Sequence, residues 1–459
     1  MANHMLGRIK RLHPNTLLIG SFALAILVGA VFLHARFSLA GGPVSFLDAL
    51  FTATSAVCVT GLTVVDTGSR FSTTGQGILL LLIQMGGLGI MTYSTVVILV
   101  LGRRLTFKGR ELVQGTLSHK TDLSVSTLVK NVFIMTLLFE GVGWALLFFR
   151  WRTLFPLKEA FFQALFHSVS AFCNAGFSLF SRSLVDYRGD PWVNGVILVL
   201  IIAGGLGFLV LRELQKFTAA KFLQKKRISI STHTRTVLVM TGLLIIAGAA
   251  GFLVLEWKNA LAGASFGEKG LMALFQSITP RTAGFNTVDY HLLTNGTLLF
   301  TIILMFIGAS PGSTGGGIKT TSFAVLLAMA HSKWKAREDT VLFRRTVPSE
   351  TVARAISIIL LSLLLILLGT MALMITELGD IPHPASRGLF LEYLFETVSA
   401  FGTVGLSTGV TPTLSAAGKI ILMILMFVGR VGPITVALAI SGERKEELFS
   451  YPEENIMVG

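Results

Sequence analysis

The sequence is poor in charge. Only 14% of its 459 residues are Asp, Glu, Lys or Arg, whereas 52% are hydrophobic. A soluble domain carries about 25% charged residues. A chain of this length could fill two or three soluble cores, but this one has too little charge to cover them. Cysteine is also scarce. Cys58 and Cys173 alone make neither a disulfide framework nor a four-ligand zinc site. HExxH is missing, and the nine histidines are scattered. His167 falls in a short apolar stretch, where it is expected as a packed polar group. A soluble enzyme, a disordered scaffold and a small disulfide-rich secreted protein are all excluded. The expected class is an all-α integral membrane protein.

What the chain does have is apolar length. Runs of about 20 residues or more, long enough to span, lie near 14–35, 76–101, 127–149, 193–215, 234–256, 296–330, 352–376 and 414–440. Arg8, Lys10 and Arg11 precede the first. No small-residue cleavage site follows, so a spanning start is expected rather than a cleaved leader. Four shorter apolar stretches lie between pairs of runs, near 45–57, 159–172, 270–280 and 388–400. They are too short to cross and fit re-entrant half-helices.

These short stretches form an internal repeat. The copies are Phe51–Leu62, Phe166–Phe177, Phe275–Phe285 and Phe395–Leu406, and the third is one residue shorter between its Phe and its Gly. The expected fold is four span–pore-helix–span repeats with pseudo-fourfold symmetry around one central pore, with eight transmembrane segments and four re-entrant loops. The repeats are placed at 14–102, 126–217, 233–330 (second span broken at 308–318) and 350–441, with a C-terminal tail at 442–459.

The formal net charge of +14 follows this topology. Of the 38 Lys and Arg residues, 25 fall on the termini and the connections between repeats, together with 11 of the 24 acidic residues. That side, with both termini, is expected to be cytoplasmic in the cell inner membrane, so nucleic acid is not an expected partner. Its dense basic run at Lys221, Lys225, Lys226 and Arg227 also suits anionic lipid. Asp66, Asp186, Asp289 and Glu392 fall on the other side. They read as solvated rim charges, or as a weak cation-concentrating mouth.

A dehydrated monovalent cation needs oxygens in place of its water shell, and extended backbone carbonyls can supply them. The candidate loops are Val59-Thr60-Gly61, Asn174-Ala175-Gly176, Thr282-Ala283-Gly284 and Thr403-Val404-Gly405. Glycine permits unusual dihedrals and close approach of four backbones. Each half-helix also aims its negative end at its loop. Turns that merely close hairpins would not need four copies, each set between two spans.

The longest apolar run is interrupted by Gly308-Ala309-Ser310-Pro311-Gly312-Ser313-Thr314-Gly315-Gly316-Gly317-Ile318-Lys319. Its glycines and proline break a helix, and irregular backbone at membrane depth must face protein or water. It is not a Walker A loop, because Ile318 adds one residue before Lys319 and a span precedes it. The reading is a gate beneath the filter. Arg430 is a cation deep within the last span, and such a charge is functional unless it snorkels to the interface. It is expected to bind the loop carbonyls or the hydroxyls of Ser310, Ser313 and Thr314. The runs Gly86-Gly87-Leu88-Gly89 and Gly204-Gly205-Leu206-Gly207 read as helix close-packing sites.

Taken together, Asp48–Ala56, Thr60-Gly61-Leu62, Val65-Asp66-Thr67-Gly68, the four loops in order, Gly315–Lys319 and Gly429-Arg430-Val431-Gly432-Pro433 resemble the membrane subunits of Ktr potassium-uptake systems in the Trk/Ktr/HKT superfamily. The resemblance runs from about residue 15 to the terminal Tyr451-Pro452…Val458-Gly459. It implies inward K+ transport rather than enzymatic activity, with K+ held at the filter loops, Na+ as an activator and no covalent cofactor. It also implies a homodimer carrying a cytoplasmic RCK-type ring that binds ATP or ADP. A glycine in every filter loop, here Gly61, Gly176, Gly284 and Gly405, goes in this family with K+ preference. A less selective Na+/K+ pathway and a membrane-embedded enzyme are the alternatives. Cys58 and Cys173 depart from the small polar residues expected at their positions, and Pro311 would stiffen the loop.

Overall fold

The computed structural model describes residues 14–89, 125–222, 229–433 and 435–437. The far ends of the runs expected at 76–101 and 414–440, the tail 442–459, and Lys225, Lys226 and Arg227 lie outside the described residues.

Four span–pore-helix–span units follow one another. The first comprises α1 (Pro14–His34), α2 (Phe46–Val57) and α3 (Thr73–Gly87). The second comprises α4 (Val125–Trp151), α5 (Leu157–Phe172), α6 (Pro191–Leu206) and α7 (Phe208–Phe222). The third has α8 (Thr232–Glu256), α9 (Phe266–Ile278), α10 (Asn295–Phe306) and α11 (Thr320–Trp334). A small hairpin, β1 (Val341–Leu342) and β2 (Arg345–Thr346), leads to α12 (Ser349–Leu378), α13 (Leu389–Gly402) and α14 (Ala416–Val431). The half-helices are α2, α5, α9 and α13.

Polar residues mark where the helices begin. Ser45, Ser72, Ser231, Thr294 and Ser415 each accept a backbone N–H at an N-cap, and Ser265 and Glu268 form a reciprocal capping box on α9. These bonds satisfy donors that a helix start leaves free. The two spans of a unit are joined at the same level. Arg150 pairs with Asp190 at 2.8 Å, Glu256 accepts from the Thr294 hydroxyl at 2.8 Å, and Glu377 accepts from the Ser415 hydroxyl at 2.6 Å.

Among the described residues, the helices through Val129–Trp151, Thr232–Glu256 and Ser349–Leu378 are long and apolar enough to cross a membrane unaided. Their outer faces are apolar: Ile246 and Val254 are 69% and 78% exposed. Lipid tails solvate such surfaces, so helix association rests on packing and interhelical hydrogen bonds. Phe51, Phe166, Phe275 and Phe395, at the same repeat position in the four half-helices, are completely buried.

The run expected at 193–215 is not one straight span. α6 and α7 bend by 104° at Gly207, whose φ is +90°. The cause is the broken segment of the third unit. The Phe208 N–H donates to Gly312 O at 3.0 Å, and a Cβ on Gly207 would lie 2.5 Å from Pro311 O. The break expected at 308–318 is present between α10 and α11, with Ile307 bridged to Ile318.

Glycine lets the second spans press onto the half-helix ends. A Cβ on Gly86, Gly204 or Gly429 would stand 2.1, 1.9 or 1.8 Å from Val57 O, Phe172 O or Phe401 O. The close packing read from the two glycine runs is therefore helix against pore-helix terminus.

Candidate ion pathway

Each half-helix ends in the same kind of loop. Positive φ occurs at Val59 and Gly61 (56° and 95°), Asn174 and Gly176 (57° and 69°), Thr282 and Gly284 (82° and 78°), and Thr403 and Gly405 (49° and 91°). Thr60, Ala175, Ala283 and Val404 between them do not share it. Alternating backbone hand turns successive carbonyls towards one side, which an ordinary strand does not do.

The N–H groups of these loops point back into the half-helices. Thr60, Ala175 and Val404 donate to Ser55 O, Ser170 O and Ser399 O, each at 2.8 Å. The shorter third copy closes differently, with Ala283 donating to Thr279 O at 2.9 Å. The hydroxyls add further anchors. Ser55 and Ser399 accept from the Gly61 and Gly405 N–H groups at 3.0 and 3.1 Å. Ser170 and Thr279 donate to Phe177 O and Phe285 O. These bonds turn one or more N–H groups of each loop away from the side its carbonyls can face. Ser55, Ser170, Thr279 and Ser399 were missed as anchors in the sequence, although a hydroxyl at that point of every copy is a visible signal.

The four loops close a ring. A Cβ on Gly61 would lie 2.5 Å from Ala175 O, on Gly176 2.9 Å from Ala283 O, on Gly284 2.4 Å from Val404 O, and on Gly405 2.0 Å from Thr60 O. Each glycine thus abuts the carbonyl just before the next unit's glycine, and the fourth returns to the first. The Asp48–Lys419 ion pair at 2.7 Å also joins the fourth unit to the first.

The broken segment crosses the foot of this ring. The Asn174 amide donates to the Thr314 hydroxyl at 2.9 Å, which donates to Phe172 O at 3.1 Å. The Gly316 N–H donates to the Thr403 hydroxyl at 3.1 Å, and a Cβ on Gly315 would meet Thr282 Oγ1 at 2.1 Å. Gly308 lies against Gly316 O, and Gly317 against Gly402 O. Ser310 and Thr314 donate their N–H groups to Gly205 O and Gly204 O at 3.1 and 3.2 Å. Ser310 Oγ pairs with Thr320 Oγ1 at 2.9 Å, whereas Ser313 Oγ is buried without a protein partner.

Two cations grip the segment. Arg430 is 8% exposed and donates to Thr314 O and Gly86 O. It does not snorkel, and it takes carbonyls rather than the hydroxyls of Ser310, Ser313 or Thr314. Lys319 turns back to donate to Gly315 O at 2.8 Å and Gly316 O at 3.3 Å. Glu140 was also missed. Buried on α4, it accepts from Gln84 at 3.1 Å and faces the Cys173 thiol at 3.7 Å; a lone acid in an apolar run was the available signal. Cys58 and Cys173 are both free and buried. His167 is packed as expected, between Gln163 O and the Ser178 hydroxyl at 2.8 and 3.0 Å.

The outer acids have local tasks. Asp186 pairs with Arg182 at 3.3 Å, and Asp289 accepts from the His291 N–H at 3.0 Å. Asp66 caps a short turn through Ser69. Burial pushes its pKa up, but hydrogen bonds from Ser69, Ser181 and Gly68 outweigh that and hold it below the usual carboxylate value.

Comparison with known proteins shows what the chain is similar to. The TrkH family model, described as a cation transport protein, matches residues 15–450. The Ktr system potassium uptake protein B of Bacillus subtilis is 40% identical over 448 residues, covering 97% of this chain and 96% of that protein. The potassium/sodium uptake protein NtpJ of Enterococcus hirae is 36% identical over 455 residues, covering 98% of each. The crystal structure of the potassium transporter TrkH from Vibrio parahaemolyticus shares the fold, with a TM-score of 0.71 over 91% of this chain and 82% of that one at 18% identity.

Proposed function

The chain belongs to the TrkH family of cation transport proteins, and on that premise we propose that it takes up K+ across the cytoplasmic membrane through the ring of loops. The family is one of transporters, not of enzymes. The observation that carries the reading is the closed sequence of contacts in which each loop glycine abuts the preceding carbonyl of its neighbour. Four carbonyl-bearing strands that meet at one axis can replace the water of a monovalent cation.

The filter comprises Val59, Thr60 and Gly61, Asn174, Ala175 and Gly176, Thr282, Ala283 and Gly284, and Thr403, Val404 and Gly405. The segment from Gly308 to Lys319 is the gate, and Arg430 holds it shut. The guanidinium contributes twice: it satisfies two carbonyls, and it sets a positive charge beneath a cation path. The repeats extend over 14–102, 126–217, 233–330 and 350–441, with both termini cytoplasmic, as the distribution of Lys and Arg supports.

The functional unit is a homodimer with a nucleotide-binding cytoplasmic ring. Similarity to a protein named as one component of a Ktr system supports a multi-component assembly. The ring controls the gate only if it binds the open and closed states with different affinity. Na+ acts as an activator in this reading.

Radiolabelled rubidium flux into liposomes containing the purified chain tests the transport reading. Competition by K+ but not by Na+ or Li+ is expected. Equal competition by Na+ would replace it with a less selective Na+/K+ pathway, and no flux from folded protein would remove it. Adding the ring should make flux respond to ATP against ADP. Nucleotide-sensitive flux from the chain alone would overturn the two-component arrangement.

A further inference from the structure

On the side of the inter-repeat connections, α8 and α11 run beside each other and leave a cleft of about 240 Å3. Its lining includes Thr236, Met240, Ala324, Ala328, His331 and Phe343. Val239 and Leu327, which also line it, are 41% and 48% exposed on the outer surface. The cleft therefore opens sideways, towards lipid, as well as towards the aqueous boundary.

The hairpin β1–β2 forms its roof. Val341 is fastened to α11 by its N–H to the Ser332 hydroxyl at 3.1 Å. Val341 pairs with Thr346 and Leu342 with Arg345, so the turn between them is Phe343-Arg344. Both turn residues have positive φ, 51° and 62°. Such turns ordinarily use Asn-Gly, and for a bulky aromatic the conformation is an outlier. Strain of this kind points to a function for the residues that bear it. Here it lays the Phe343 ring on the cleft and leaves Arg344 and Arg345 exposed beside it. The Arg235 guanidinium lies 4.5 Å over the same ring. Lys333, Lys335 and Arg337, with Glu338 and Asp339, are exposed at the end of α11 and on the chain leading to the hairpin. Trp334 is 88% exposed at the end of α11, and tryptophan favours the membrane–water interface.

We propose that this cleft is a binding site for an anionic phospholipid. The acyl chain lies between α8 and α11, and the headgroup phosphate lies on Arg235, Arg344 and Arg345. The cleft opens sideways, so part of an acyl chain can lie in it with the rest in the bilayer, whereas about 240 Å3 does not seat a peptide helix about 10 Å across. A free phosphate would gain nothing from the apolar walls. α11 begins at Thr320, directly after Lys319 of the gate segment, so a lipid that prefers one placement of α11 biases the gate.

The test uses the full chain in vesicles of phosphatidylcholine, with or without phosphatidylglycerol. Retained lipid is counted by native mass spectrometry, and thermal melting checks the fold. The wild type should retain phosphatidylglycerol in preference to phosphatidylcholine. Ala328→Phe, which fills the cleft and leaves every charge in place, should reduce that retention at least 10-fold. The exposed pair Arg344→Gln and Arg345→Gln should abolish the preference, and carries the test if Ala328→Phe does not fold. Equal retention of the two lipids by the wild type would overturn the proposal. So would unchanged retention in Ala328→Phe, which would mean adsorption to a basic surface. So too would a cross-link from Arg344→Cys to a second protein chain that excludes lipid.

Discussion

Arg430 and Lys319 hold consecutive carbonyls of one loop. Arg430 donates to Thr314 O, and Lys319 donates to Gly315 O at 2.8 Å and Gly316 O at 3.3 Å. The cations come from different elements. Arg430 reaches in from α14 and also binds Gly86 O on α3, whereas Lys319 folds back from the segment's own end. Both cationic side chains therefore sit at the foot of the carbonyl ring; Lys319 has its carbonyl partners only while the segment keeps this path, whereas Arg430 would retain Gly86 O alone. In the proposed gate, movement of the segment would leave Arg430 buried and partly unpaired, which opposes opening.

Replacing Arg430 should open the gate. A hydrogen bond from a charged donor contributes about 1.5–3 kcal/mol, and about 1.4 kcal/mol is a tenfold change in an equilibrium. Arg430→Gln should therefore raise basal rubidium flux at least tenfold, with Arg430→Lys between it and the wild type. Flux in folded Arg430→Gln at or below the wild-type level would count against the role.

In the proposed gate, the Thr403 hydroxyl is a second, separable latch. It accepts from the Gly316 N–H at 3.1 Å. Thr403→Val keeps the shape and leaves that N–H unpaired, at a cost of about 1–3 kcal/mol to the closed state. Thr403→Ser keeps the acceptor. Stopped-flow flux should show several-fold leak in the valine variant and little in the serine variant. Equal leak in both would assign the effect to packing.

The filter glycines should not be equally sensitive. All four have positive φ, so any side chain adds backbone strain. The space differs: a Cβ would meet the neighbouring carbonyl at 2.0 Å on Gly405, 2.4 Å on Gly284, 2.5 Å on Gly61 and 2.9 Å on Gly176. Loss of K+ over Na+ discrimination in Gly→Ser variants should follow that order. Unchanged permeability ratios in all four would separate these residues from selectivity.

The repeats could be read because function imposes one geometry on four segments. The Phe that opens each copy is buried, and the glycine one residue before the end of each copy abuts the next loop; both recur in the sequence. The break at 308–318 was legible because glycines and a proline cannot continue a helix. The bend at Gly207 was not, because its cause is the Gly312 carbonyl of another unit, and no local signal pairs Phe208 with it. The bond from Arg430 to Gly86 was hidden for the same reason. A lone buried cation announces that a partner exists, but a backbone carbonyl has no letter of its own. Lys319 was expected in the gate, yet its reversal onto Gly315 and Gly316 depends on the path that the segment takes.

Two glycine substitutions should move stability in opposite directions. On α14, a Cβ at Gly429 would lie 1.8 Å from Phe401 O, at the end of the fourth half-helix. Neither backbone can yield without displacing the loop that begins at Thr403, so Gly429→Ala should destabilise by about 1–3 kcal/mol or more, as overpacking does. Gly77 on α3 has nothing within 4 Å of its Cβ position. There, Gly77→Ala removes a poor helix former and should stabilise by up to about 1 kcal/mol. Thermal melting in one detergent compares the two variants directly. A lower midpoint for Gly429→Ala and an equal or higher one for Gly77→Ala are expected. Equal losses would mean that close approach to the half-helix terminus is not what keeps residue 429 small.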